Sequence, residues 1–223
     1  MQTKEPQYSA CLDVAEKHGI ARLGLMTNQV WHDDPKRLLF ILARYKFVAR
    51  MLEGRPYVFE VGCGDAFGTR IVQQHVGHIT ALDFDPILIR DASSRMNGQQ
   101  RLRFVTADLL DGPITRGSFD AAYALDVLEH IKPEDEDRFI TNIIASLTPS
   151  GVLIFGMPSI ESQVYASPQS KAGHVNCKSG DDFKATMERY FHTVFMFSMN
   201  DEVVHTGFYP MAHYLFAVCS HRK

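Results

Sequence analysis

From Tyr57 onward, short apolar runs alternate with amphipathic stretches, and the alternation predicts the elements. Tyr57–Val61 reads as a buried strand ending at a glycine-rich turn, and Phe67–Val76 as the helix that follows. His78–Asp83 is the second strand, and Pro86–Met96 the second helix, with proline in its opening turn. Leu102–Ala107 and Phe119–Leu125 are the third and fourth strands. Pro133–Leu147 is a helix with acids in its first turn, and Pro149-Ser150-Gly151 turns into the strand Val152–Phe155. Strands that alternate with helices predict a parallel sheet covered on both faces, because right-handed crossovers place the helices there. After Phe155 the pattern changes. A loop from Met157 to Lys178 precedes a helix over Asp181–Tyr190, capped by Ser179. The strands His192–Met199 and Ala212–Ser220, joined by Asn200–Pro210, make a hairpin finish. Upstream, Asp34-Pro35 opens a basic helix, Lys36–Leu52, whose apolar positions 38, 39, 41, 42, 45, 48, 49 and 52 form one stripe. The class is α/β, with one domain over residues 1–223: an N-terminal helical cap segment (1–55) and a core (56–223).

Composition narrows the function. At about 150 residues per domain, 223 residues suit one domain. Lys plus Arg number 23 against 26 Asp plus Glu, a net charge of −3, which argues against a protein that binds nucleic acid through bulk charge. No apolar run approaches the ~18 residues that span a bilayer, so no integral membrane association is expected. Residues 1–6 lack the apolar core of a secretion signal, and the expected location is cytoplasmic. Cys11, Cys63, Cys177 and Cys219 form no Cys-x-x-Cys pair, so neither a disulfide framework nor a zinc site is indicated.

The chemistry gathers at strand ends. Glu60-Val61-Gly62-Cys63-Gly64-Asp65-Ala66-Phe67-Gly68 closes the first strand and opens a helix. Gly62 and Gly64 let a ligand lie against bare backbone, and ligands in such sheets bind beyond the carboxyl ends of the strands. The third glycine comes four residues after the second, whereas the dinucleotide fingerprint spaces them by three. Glu60, near the turn, would repel a pyrophosphate but suits a ligand with an amino group. Asp83 ends the second strand, where a carboxylate can accept both ribose hydroxyls. Asp108 ends the third and could accept from an adenine amine, with Phe84 and Leu109 sandwiching the ring. Three acids and a glycine turn fit a nucleoside bearing an amino-acid tail.

This set resembles the class I S-adenosylmethionine-dependent methyltransferases, especially their small-molecule branch. Glu60-Val-Gly-Cys-Gly resembles that family's first motif, Asp83 its ribose acid, and Ala107-Asp108-Leu109 its adenine contact. Ser118–His130 is similar to the family's "FD…VLEH" segment, and Leu147–Leu153 to its "LxPGG" turn, with Ser150 replacing a glycine and Ala66 a frequent third glycine of the first motif. The resemblance covers about residues 55–156. It implies a Rossmann-like fold with a seven-stranded, mostly parallel sheet whose last strand is antiparallel. It also implies S-adenosylmethionine as cofactor, held by Glu60, Gly62, Cys63, Gly64, Asp83, Phe84, Asp108, Leu109 and the Ala124 backbone. His130 could lie near the donor or simply precede the helix start at Lys132-Pro133. Met26, Trp31 and Tyr45 could close the donor pocket.

Methyl transfer needs an aligned acceptor and sometimes a base. Those groups must come from segments over the strand ends: the N-terminal region, the loop 157–178 and the hairpin loop 200–210. His174 is the first candidate base and His205 the second. His174, Cys177 and His205 match no compact metal-ligand spacing, so no metal is expected. The basic side of Lys36–Leu52 is a solvated face, or a surface that meets an anionic small-molecule acceptor or an anionic membrane holding a lipid-soluble acceptor. The expected function is transfer of a methyl group to an oxygen or nitrogen of a small molecule. A catalytically silent donor-binding scaffold and a nicotinamide-dependent oxidoreductase are the alternatives.

Overall fold

Hydrogen-bonding periodicity and burial turn those runs into a layered sheet. A computed structural model describes residues 3–96 and 100–223. Met1 and Gln2, at the start of the stretch read for a secretion signal, lie outside the described residues. The cap segment is helical: α1 (Ser9–His18), α2 (Leu25–Asp33) and α3 (Arg37–Met51). The core follows as β1 (Tyr57–Val61), α4 (Thr69–Gln73), β2 (His78–Asp83), α5 (Pro86–Arg95), β3 (Leu102–Thr106) and β4 (Phe119–Leu125). It continues with α6 (Glu136–Ser146), β5 (Leu147–Pro158), α7 (Pro168–Gly173), α8 (Gly180–Glu188), β6 (Phe191–Asn200), β7 (Val203–His205) and β8 (Tyr214–Arg222).

Eight strands among the described residues form one sheet in the order β3-β2-β1-β4-β5-β8-β6-β7. The first five strands are parallel, β8 is antiparallel to β5, and β6 is antiparallel to β8. It follows that β6 runs with β5, and its hairpin turn falls on the carboxyl-end side. The eighth strand is β7, which pairs with the end of β6 through Ser198–His205 to Asn200–Val203 inside the connection read as a plain loop.

Side-chain alternation divides the core between the two faces. Phe59, Val61, Ala122, Ala124, Leu153 and Phe155 pack with Phe139, Ile140 and Ile143 of α6 and Phe183 of α8. Val58, Ala121, Tyr123 and Ile154 pack on the other face with Val48 and Ala49 of α3 and Val72 of α4. The strand signals survive because both faces are apolar; helix ends move more. α4 is shorter than the expected Phe67–Val76, and the turn before it is held by Asp65, whose side chain accepts from the Phe67 N–H, with Ala66 at φ +57°. The turn read at Pro149–Gly151 is absorbed into β5, whose register against β4 shifts between Phe119 and Ala121. Asp85 caps α5 by accepting from the Ile87 N–H, and Ser179 caps α8 by accepting from the Asp182 N–H. The loop 157–178 is not featureless. It carries a 3₁₀ turn at Glu161–Tyr165 and then α7.

Candidate active site

The glycine turn is tied down by its neighbours. Gly62 and Gly64 have φ +68° and +54°, where a side chain is strained, and Ala66 follows at +57° despite its Cβ. A Cβ on Gly62 would lie 2.4 Å from Val127 Cγ2, so the turn after β1 touches the residue that leaves β4. The Asp83 carboxylate accepts the Gly64 N–H at 2.9 Å through Oδ2 and the Asp85 N–H at 2.9 Å through Oδ1. This buried acid therefore joins the ends of β1 and β2 and retains acceptor lone pairs on each oxygen.

Other residues of the expected donor site are placed differently. Glu60 does not face the turn. Its carboxylate lies 1% exposed between sheet and helix, paired across the ladder with Tyr123, and accepts the Thr69 hydroxyl at 2.5 Å. Burial, opposed by hydrogen bonding from Thr69, raises its pKa to about 7. It fastens the start of α4. Leu109 is 2% exposed and sits in the core, so its side chain does not offer an open stacking face. Phe84, 72% exposed, is free to stack, and exposed Asp108 spends one oxygen on the Leu110 N–H. Cys63 is buried, and that burial pushes its thiol up. Ala124 is fully buried in mid-ladder between Val61 and Phe155.

The cap segment covers this turn. Asp65 accepts the Thr27 N–H at 2.7 Å and the Thr27 hydroxyl at 3.1 Å, supplying the first turn of α2 with a carboxylate from the core. Met26 sulfur lies 2.7 Å from where a Gly64 Cβ would stand, and the Tyr45 ring packs still more closely over Gly68. Trp31 is half-exposed. Asp65 was missing from the expected site, because an acid inside a turn gives no sign of which distant helix it will cap.

A second group forms where β4 ends. Asp126, at φ +57°, binds Arg44 through both carboxylate oxygens, at 2.7 and 2.9 Å. Arg44 belongs to the basic helix, yet it is buried, with its guanidinium 3.7 Å above the Tyr214 ring. For this residue the solvated-face reading and the anionic-acceptor reading both fail. Three residues on, Glu129 is fully buried, and among the described residues neither carboxylate oxygen has a hydrogen-bond partner. Burial first and Asp126 second hold its carboxyl well above the usual range.

His174 comes down on this group from the loop after β5. The Glu129 carbonyl accepts the N–H groups of Val175 and Asn176, at 2.8 and 3.0 Å, which stitches the two segments together. His130 Nδ1 lies 2.9 Å from the Gly173 carbonyl, and the His130 and His174 rings meet edge-on at 5.1 Å. His174 Nδ1 lies 2.8 Å from Gln163 Oε1. The Gln163 amide nitrogen donates to the Ser159 carbonyl, which fixes Oε1 as the acceptor for His174. Both imidazoles therefore donate from Nδ1, so that in the neutral ring Nε2 is the nitrogen with the lone pair. Burial, then nearby His130, lowers the pKa of His174. The structure brings together Glu129, His130 and His174; the sequence offered the first two within the "VLEH" segment and the third forty-four residues later.

His205 is placed elsewhere. Its Nδ1 accepts the Gly207 N–H at 2.9 Å, and its Nε2 donates to Asn200 Oδ1 at 2.9 Å, where the Asn200 amide nitrogen is itself held by the Met211 carbonyl. With its single basic nitrogen occupied, it braces the β6–β7 hairpin and has no lone pair left for an acceptor's proton.

Comparison with known proteins meets the same segment. Residues 59–155 match the family model of methyltransferase domains. An uncharacterized methyltransferase of Mycobacterium tuberculosis is 28% identical over 115 residues, 50% of this chain and 57% of that one, so the chain spans little more than half of that relative's length. An O-methyltransferase of Aspergillus nomiae is 29% identical over 174 residues, 70% of this chain and 76% of that protein. The N-methyltransferase NodS from Bradyrhizobium japonicum WM9 shares the fold, with a TM-score of 0.63 and 18% identity over 86% of this chain and 99% of that one. No helix of the described residues is long and apolar enough to cross a membrane.

Proposed function

The chain belongs to the class I S-adenosylmethionine-dependent methyltransferases, and from that premise we propose that it methylates an oxygen or nitrogen of a small molecule held over the ends of β1, β2 and β4. The family assignment displaces the oxidoreductase alternative.

The residues present suit the cofactor. Gly62 and Gly64 offer backbone without Cβ atoms, and the buried Asp83 carboxylate stands at the adjacent strand end with lone pairs to spare. Asp83 would hold the ribose, exposed Phe84 would stack on the adenine, and Asp108 would accept from its amine. When bound, S-adenosylmethionine supplies an activated methyl group. Met26 and Thr27 cover the turn from α2 and would exclude water from the donor.

The observation that carries the acceptor side is the Glu129–His130–His174 group, which starts two residues beyond Val127, and Val127 itself packs on Gly62. His174 Nε2 bears a lone pair because Nδ1 donates to Gln163, and its lowered pKa keeps the ring neutral near pH 7. It would orient the acceptor and take its proton at Nε2. The resemblance over 70% of the chain to a protein named as an O-methyltransferase supports oxygen over nitrogen.

Calorimetric titration with S-adenosylmethionine, its demethylated product and NADH tests the donor. Binding of the two sulfur nucleosides, with none of NADH, is expected, and Asp83→Ala should abolish most of it. Binding of NADH alone would remove the proposal.

A further inference from the structure

We propose that Glu129, His130 and His174 hold a divalent transition-metal ion, of the manganese-to-zinc class, beside the donor turn. Their ligand atoms all lie within 4.8 Å of one another. They come from two segments that the Glu129 carbonyl fastens to Val175 and Asn176, so the arrangement is set by backbone as well as by side chains.

Three features point to a cation. Glu129 is fully buried, with both oxygens unpartnered, and a lone buried carboxylate is costly unless a charge meets it. Buried Arg44, which contributes to the field at Glu129, gives Nη1 to both oxygens of Asp126 and makes no hydrogen bond to Glu129. Each imidazole donates from Nδ1 to an oxygen, His130 to Gly173 and His174 to Gln163, which orients Nε2 as the ligand atom. Metal-binding histidines are oriented by outer hydrogen bonds of this kind.

One carboxylate and two imidazoles suit a borderline transition ion better than magnesium or calcium, which favour all-oxygen sites. Three protein ligands leave positions open for an acceptor oxygen. The catalytic consequence rests on the methyl-transfer reading, and it narrows the acceptor to a hydroxyl compound. A hydroxyl on the ion loses its proton to solvent water. Its oxygen then forms the new bond to the methyl carbon as the carbon–sulfur bond breaks, and the sulfur keeps that electron pair as a neutral thioether. In this arrangement His174 serves as a ligand, and the ion replaces it as the group that acidifies the acceptor.

The test is calorimetric titration of chelator-stripped protein with Mn²⁺ and with Zn²⁺, alongside the donor titration. One ion per chain is expected, with affinity falling by at least about 10-fold in Glu129→Gln and in His174→Ala. Because Glu129 is buried, partly exposed His174 is the safer variant; an unchanged thermal midpoint and unchanged S-adenosylmethionine affinity would show that it still folds. Equal metal affinity in wild type and His174→Ala would overturn the proposal. So would wild-type protein that binds S-adenosylmethionine and takes up neither ion, with the methyltransferase reading left standing. Metal uptake lost in both variants, by protein that binds no sulfur nucleoside, would support the metal site and remove the methyl-transfer consequence.

Discussion

The proposed donor end and the proposed acceptor end of the sheet meet around Val127, two residues before Glu129, yet they are built in opposite ways. Around the glycine turn, polar groups are satisfied within the protein: Asp83 by Gly64 and Asp85, Asp65 by Thr27 and Phe67, Glu60 by Thr69. Where β4 ends, the buried Glu129 carboxylate has no hydrogen-bond partner among the described residues, and His130 and His174 are oriented through Nδ1. The first arrangement is rigid before anything binds. The second is completed by what binds. On the proposed reading, the cofactor would be met by backbone geometry and the acceptor by side chains left unsatisfied.

That contrast can be broken in several ways. The largest effect is expected from His174→Ala, which should slow methyl transfer by about 10²–10⁴-fold, measured by transfer of labelled methyl to an acceptor, with little change in donor affinity. A matching loss of donor binding would mean that the two ends are not separate. Asp83→Ala should act on the other side, weakening S-adenosylmethionine by about 10- to 100-fold in calorimetry, since each charge-assisted hydrogen bond lost contributes about 1.5–3 kcal/mol.

Glu60 gives the donor end a pH signature. Its pKa is raised to about 7 in the fold, from an ordinary value of 4.5. The folded protein therefore holds a proton that the unfolded chain has released. Its contribution is fully present below pH 4.5 and is lost as pH rises through 7, a change of order about 3 kcal/mol. Denaturant unfolding between these limits should show stability falling with pH, and Glu60→Gln should flatten that slope. The smallest effect is expected from His205→Ala. It removes a hairpin brace, costs about 1 kcal/mol in unfolding, and leaves turnover unchanged. A loss of turnover there would return His205 to the acceptor machinery.

The same contrast governs what could be read from the chain. β1, β2 and β4 have the predicted boundaries, because runs buried on both faces leave a continuous apolar signal. The meeting of Asp83 with the glycine turn was legible because adjacent parallel strands bring their carboxyl ends together, a property of topology. Glu60 was legible as an acid but not in direction: the strand's alternation sends it toward α4, and only the position of Thr69 shows why. Arg44 was hidden in a basic helix, since nothing local distinguishes an arginine that will meet a strained aspartate from one that faces water. The Glu129–His130–His174 group required knowledge of how residues 173–176 return to residue 129, and no short-range pattern encodes that return. The β7 strand escaped for a simpler reason, being three residues long inside a turn-rich connection.

The place of β8 in the sheet has a consequence for how the protein is made. β6 and β7 follow β5 in sequence but have no ladder to it; β8 lies between them and is bonded to β5 on one side and to β6 on the other. A nascent chain that has delivered everything through His205 still has two strands without a seat, and the edge of β5 remains open. Residues 214–222 work as a zipper slider, closing both seams when they arrive. Until then, unpaired edges on β5 and β6 are exposed to other chains. Proteolytic removal of that strand would accordingly release β6 and β7 together.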